Sequence, residues 1–190
     1  MLERLRTTQH FVTLGDIVTL RECREGAREV LACTHCPQNY LSNTQNALIL
    51  GTLCLCFAEC YGSILRNVDA EEQRALQANE QKQLEITTPI VTSSQVSNGS
   101  ALFQVEMTPP QWKLFMRNTV KAEIFGVNGH RETCFLSFLA SMEERQESWH
   151  ETIPAINCDH TYRYDCTTED QPLCILTIKE VRKMIDNLGL

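Results

Sequence analysis

Apolar positions along this chain recur at the three- and four-residue intervals of helices. From Asp16 to Ala32, the residues Leu20, Cys23, Ala27, Val30 and Leu31 share one face, and Arg21, Glu22, Arg24, Glu25, Arg28 and Glu29 fill the other. The spacing predicts a helix over 16–32, with Asp16 as its cap. Both signs of charge alternate on the outer face, which is the pattern of a solvated surface. Pro37 cannot continue a helix and pushes Cys36 out of helical geometry, so Cys33-Thr34-His35-Cys36-Pro37 predicts a corner.

A second helix is expected to start near Ser42 or Asn43, both good caps, and to run to about Arg66. Between Thr44 and Leu65 the only charged residue is Glu59. Ala47, Leu50, Cys54, Phe57, Tyr61 and Ile64 form one stripe, and Ile49, Leu53, Cys56 and Cys60 form another. A helix that is apolar on most sides belongs in the middle of a fold, so Asn43–Arg66 is read as a buried central helix. Gly51 and Gly62 would let neighbours pack close to it. Asp69 with Glu72 has capping-box spacing and predicts a separate, peripheral helix over Asp69–Leu84, with Ala70, Ala75, Leu76 and Leu84 on its poor apolar face.

The composition then changes. No charge occurs between Glu85 and Glu106, and Thr87-Thr88-Pro89 and Ser97-Asn98-Gly99-Ser100 carry turn chemistry. A flexible Ser/Thr-rich insertion over about 85–107 is expected. The alternative is a short hairpin around Asn98-Gly99, with Ile90-Val91 facing Leu102-Phe103. Thr108-Pro109-Pro110-Gln111 reads as a capped helix start, followed by an inward face of Trp112, Phe115, Met116, Val120 and Ile124 that ends at Gly126. After a turn at Asn128-Gly129, a helix over about His130–Trp149 buries Phe135, Phe138, Leu139, Met142 and Trp149, and Pro154 closes it. A loop over about 153–172 leads to a last helix from Thr177, boxed by Glu180, packing Ile178, Val181, Ile185 and Leu188 and ending at Gly189. The sum is a single all-α domain over 1–190, with about six helices and no convincing strand alternation. Its core is expected to centre on Phe57, Tyr61, Trp112 and Phe115.

Length and charge narrow the function. The 190 residues suit one domain that can bury a real core. The formal charge of −7 argues against a chain that binds nucleic acid by itself. The longest apolar stretch, Ala47–Ala58, falls short of the ~20 residues of a membrane-spanning helix. The first ten residues hold no apolar run of the kind a secretory signal needs, so an intracellular protein with reduced thiols is expected, and no membrane partner.

Ten cysteines invite a metal or redox reading. Structural zinc needs four soft ligands, yet Cys33 and Cys36 have only His35, Cys54, Cys56 and Cys60 nearby in sequence, and no second C-x-x-C exists. Cys33 and Cys36 therefore read as half-buried corner residues, and Cys54, Cys56 and Cys60 as core thiols. A thioredoxin-type motif would need a preceding strand and a βαβ unit. Cys158, Asp159, His160, Tyr162, Asp165 and Cys166 make a second ligand-rich stretch, read as a polar loop anchored by Tyr162 or Tyr164. No metal and no cofactor are expected. A cysteine–histidine nucleophile is conceivable, but nothing singles out one pair among ten cysteines and His10, His35, His130, His150 and His160. The sequence holds no H-E-x-x-H, no G-x-S-x-G and no phosphate-binding glycine loop, and Glu143 and Glu144, as helix neighbours, diverge by ~100°. No catalytic residue is assigned, and the reading leans away from an enzyme.

A family resemblance adds what periodicity cannot. Val30-Leu31-Ala32-Cys33-Thr34-His35-Cys36, a short spacer, then Leu48-Ile49-Leu50 through Leu55 and Tyr61 resembles the C-terminal regulatory domain of aflatoxin-regulatory-type fungal transcription factors. There a leucine-to-cysteine corner precedes a buried helix that ends in a tyrosine. Ile124-Phe125-Gly126-Val127-Asn128-Gly129-His130 followed by Phe135–Trp149 is similar to the family's later turn and long helix, and the Ser/Thr-rich insertion is similar too. The likeness covers about residues 10–150. Such factors normally carry a six-cysteine zinc cluster beginning C-x-x-C-x6-C, but seven residues after Cys36 stands Asn43. The resemblance thus implies a nuclear regulator of secondary-metabolite genes that acts through a co-regulator or a second copy, without its own DNA contacts. The alternative is a small helical enzyme or ligand-binding protein of a biosynthetic pathway. It would hold its ligand in a hydrated pocket with polar groups from His130, Glu123 and Tyr61.

Overall fold

The computed structural model describes residues 14–92, 95–127, 131–151 and 171–190. Helix α1 spans Leu14–Leu31 and buries Ile17, Leu20, Cys23, Ala27 and Leu31; it departs from the predicted faces at Val30, which is exposed, and at Arg24, read as solvated but buried. It begins before Asp16, which lies in the first turn and is not the cap; a carboxylate there still faces the positive end of the helix dipole. The chain then turns the expected corner, with a short 3-10 turn at Cys36–Gln38.

The next helix, α2, is longer than its stripe predicts. It runs from Tyr40 to Ala78, 39 residues or roughly 58 Å at the usual rise. Asn39, rather than Ser42 or Asn43, caps it: its side chain accepts from the Ser42 N–H at 3.1 Å. No break occurs at Asp69: the first part of the expected separate helix over Asp69–Leu84 is the last part of α2, and its end, Lys82–Leu84, belongs to a strand. The Asp69 carboxylate is engaged elsewhere, with Lys113 Nζ at 3.0 Å and Arg117 at 3.4 Å. Val68, Glu72 and Ala75 carry the buried face onward, so tertiary pairing outweighs the local capping signal. The helix stops at Asn79, which takes the left-handed conformation (φ 52°) and donates its N–H back to Ala75 and Leu76.

Strands β1 (Lys82–Thr92) and β2 (Gln95–Met107) stand where a flexible insertion is expected. The hairpin alternative is right in kind but not in register. Ile86 faces Phe103 and Val91 faces Val96, and Asn98-Gly99 lies inside β2. Thr, Ile and Val favour extended backbone, and a charge-free run does not by itself mean a loop. The hairpin base is tied to the helices: Leu84 is buried, and Lys82 Nζ lies 4.8 Å above the Trp112 ring and 2.6 Å from Glu71.

Helix α3 (Pro109–Phe125) starts as predicted: Gln111 Oε1 accepts from the Thr108 N–H at 3.0 Å and from its hydroxyl at 2.9 Å. Helix α4 spans Phe135–Glu151 after a 3-10 turn at Arg131–Thr133. Helix α5 spans Leu173–Asp186, so it starts before Thr177, and the expected Thr177 box is not its beginning. The turn at Asn128-Gly129, Pro154 and nearly all of the 153–172 loop lie outside the described residues.

Among the described residues the fold has five α-helices and one hairpin, mostly helical as expected, with two predicted helices fused into α2. Helix α2 packs against α3 and α5, and α1 leans on α4 and α3. Phe57, Tyr61 and Phe135 meet at the centre, with ring centroids 5.7 Å (Phe57–Phe135) and 5.6 Å (Tyr61–Phe135) apart. Trp112 is buried with them and Phe115 partly so. A methyl on Gly51 would stand 3.2 Å from Thr177 Cγ2, so the glycine lets α5 approach α2. By length and composition α2 could cross a membrane, which the Ala47–Ala58 stretch alone does not imply; here 56% of its most apolar window is buried, as in a core helix.

Candidate functional site

A cavity of about 300 Å³ opens at the end of the bundle where α2 begins, α4 ends and α5 begins. Tyr40, Ala47, Leu48, Trp149 and Leu173 make its walls apolar. Asn43, Thr44, Gln146, His150 and Cys174 supply its polar atoms. Asn43 is 1% exposed, and its Oδ1 has no hydrogen-bond partner among the described residues. A buried acceptor without a donor costs on the order of 1–3 kcal/mol, and a water or ligand in the cavity that donates to it would remove that cost.

One wall is braced from the cysteine corner. Trp149 Nε1 donates to the Pro37 carbonyl at 3.1 Å, and its ring lies 5.6 Å from that of Tyr40. Arg145, one turn earlier on α4, donates to the carbonyls of Val30 and Leu31 at the end of α1. A cation is favourable beside the carbonyls at a helix C-terminus.

His150 Nε2 and Cys174 Sγ are 3.2 Å apart. This is the one cysteine–histidine pair the fold brings together among the described residues, and sequence gave no signal for it. The two lie at the end of one helix and the start of the next, joined only by packing. Burial lowers the imidazole pKa and raises that of the thiol. Both shifts favour the neutral forms, in which the pair is a hydrogen bond between imidazole and thiol.

The other sequence candidates are scattered. Cys33 and Cys36 sit half-buried at the corner with their Sγ atoms 3.2 Å apart, while His35 is exposed. Cys54 is buried, 3.9 Å from Met142 Sδ, and burial pushes its thiol up to about 12. Cys56 and Cys60 are only half-buried, less enclosed than core thiols, and burial holds Cys60 at about 11. Among the described residues no three His, Cys, Asp or Glu side chains gather at metal-binding spacing. His10, His130, His160 and the Cys158–Cys166 stretch fall outside the described residues. Glu143 accepts from Arg182 at 2.6 Å, a surface tie between α4 and α5.

Glu123 and Tyr61 do come close, though not in a hydrated pocket. Glu123 Oε2 takes both Arg24 Nη1 and Nη2 at 3.3 Å, and Oε1 takes Arg21. Arg24 is 2% exposed and Tyr61 0%. Burial pushes the Tyr61 phenol above its ordinary value, against the pull of Arg24. The cluster clamps α1 to α3, with Arg24, Glu123 and Tyr61 buried and only Arg21 reaching solvent, so it is structural.

Comparisons with known protein families, curated proteins and solved structures found no match.

Proposed function

We propose that this chain is a regulatory interaction domain resembling the C-terminal half of fungal secondary-metabolism transcription factors. It works inside the cell, in the nucleus, through protein contacts rather than its own DNA contacts. The observation that carries the reading is an exposed apolar patch beside the cavity. Leu41, Leu48 and Ile49 of α2 are 63%, 53% and 65% exposed, and Leu173 and Leu176 of α5 are 66% and 46% exposed. Leu48 and Leu173 share the cavity wall, so the two rows are neighbours. Large apolar side chains gathered in this way mark interaction surfaces, whereas scattered ones do not. The charge of −7 fits a domain that leaves phosphate contacts to a co-regulator or partner factor.

The test is a reporter assay with the chain fused to an unrelated DNA-binding domain. Transcription should change when the chain is tethered, and Leu48→Asp with Ile49→Asp should cancel the change while leaving the circular dichroism spectrum intact. A reporter that responds equally to wild type and variant removes the patch from the mechanism. Retention of DNA by the isolated chain in a gel shift, without a zinc-cluster partner, overturns the reading altogether.

The cavity supports a second reading, a small-molecule binding protein of a biosynthetic pathway. A pocket of about 300 Å³ with apolar walls and a few polar atoms suits a small, largely apolar ligand that offers a donor to Asn43. Pathway intermediates that raise the melting temperature of wild type but not of Ala47→Trp would favour it.

A further inference from the structure

We propose that Cys33 and Cys36 form a thiol–disulfide exchange site that reacts with low-molecular-weight disulfides of the glutathione class. The Sγ atoms stand 3.2 Å apart, so closing the bond needs an approach of about 1 Å to reach the ~2.05 Å of a disulfide. Cys33 lies in the non-helical corner, and Cys36 opens a short 3-10 turn, so the approach breaks no long helix. Both are half-buried and neither is enclosed, unlike buried Cys23, Cys54 and Cys134. No thioredoxin fold is required, because exchange needs only adjacent sulfurs and access to an attacking disulfide.

The surroundings distinguish the two thiols. Cys36 S–H donates to Cys33 Sγ. Together with the backbone N–H groups of Cys36 and His35, that bond lowers the Cys33 thiol below its ordinary value, and the Arg145 charge adds to it. Cys33 is therefore the attacking sulfur. Its thiolate displaces one half of the small disulfide, forming a mixed disulfide and releasing one small thiolate. Cys36 then gives up its proton and attacks Cys33 Sγ, and the second small thiol leaves with that proton. The protein dithiol loses two electrons and two protons; the small disulfide gains them as two thiols.

A built-in reporter exists. Pro37, directly after Cys36 in the same short 3-10 turn, holds Trp149 through its carbonyl, so closing the bridge shifts a wall of the cavity.

The experiment uses the full chain in glutathione buffers stepped from fully reduced to fully oxidised, with alkylation, peptide mapping by mass spectrometry and tryptophan emission. The expected product is a Cys33–Cys36 bridge that forms and reverses with the buffer ratio, accompanied by a change in Trp149 emission that is absent from Trp149→Phe. Cys54 and Cys134 should stay reduced. In Cys36→Ser the glutathione adduct should persist on Cys33, and in Cys33→Ser adduct formation at Cys36 should be about tenfold slower. Mapping the wild type needs no variant to fold. A Cys33–Cys36 pair that stays alkylated at every ratio overturns the proposal, as does bridging of either residue to Cys60 or Cys174 instead.

Discussion

Replacing Glu123 with alanine tests how α1 is held to α3. The carboxylate binds Arg24, whose side chain is 2% exposed, and Arg21, whose side chain is 53% exposed. The change leaves Arg21 free to rehydrate, so that pair contributes little. Arg24 cannot rehydrate. It keeps only the residue-123 carbonyl, now at 3.4 Å, and Glu25 at 3.8 Å. Stripping one partner from a buried ion pair costs about 3–5 kcal/mol, and the two residual contacts argue for the lower end, ~3 kcal/mol. At ~2–4 °C per kcal/mol for a chain of this size, the melting midpoint should fall by ~6–12 °C. Differential scanning calorimetry on wild type, Glu123→Ala and the double variant Arg24→Met/Glu123→Leu gives the answer. The double variant should lie near wild type, because it buries no unpaired charge. A midpoint loss below ~2 °C for Glu123→Ala, or an equal loss in the double variant, refutes the reasoning, since either means that Arg24 was never dependent on the pair.

Three further outcomes follow from the same physics. Phe57 is 0% exposed at the centre of the core, so Phe57→Ala should cost ~3–5 kcal/mol in urea denaturation; a loss under ~1 kcal/mol would mean that the centre lies elsewhere. Thr108→Ala removes one of the two donors to Gln111 and should cost ~1 kcal/mol, seen as earlier hydrogen exchange in the first turn of α3. Burial holds the His150 pKa below its ordinary 6.5, so its contribution is present above pH 6.5 and lost as pH falls through the lower folded value. His150→Gln should flatten that part of the stability–pH curve, and a curve of unchanged slope would remove the histidine from the account.

The candidate site was less legible than the core. Leu20, Phe57, Met116, Phe138 and Ile178 announce themselves because burial imposes a period that the sequence must repeat. The cavity lining has no such period. Asn43, His150 and Cys174 come from three helices, and each alone looks like an ordinary cap, end or small residue. The Cys33–Cys36 spacing was visible, but the separation of the sulfurs depends on how the corner folds.

Periodicity and punctuation in the chain were enough to determine a mostly helical body, the corner at Pro37, the capped start of α3 and a largely buried α2. These are local matters: a proline lacks an N–H, a threonine with glutamine three residues on closes a box, and an apolar stripe needs cover. Tertiary structure decided that α2 continues past Asp69, because Lys113 and Arg117 of α3 take up the carboxylate that could have capped a new helix. It also decided that the uncharged stretch becomes a hairpin, with its base fastened by Leu84, Lys82 and Trp112, and that His150 meets Cys174. Those outcomes depend on partners far away in sequence, whose pairing energies no short window contains.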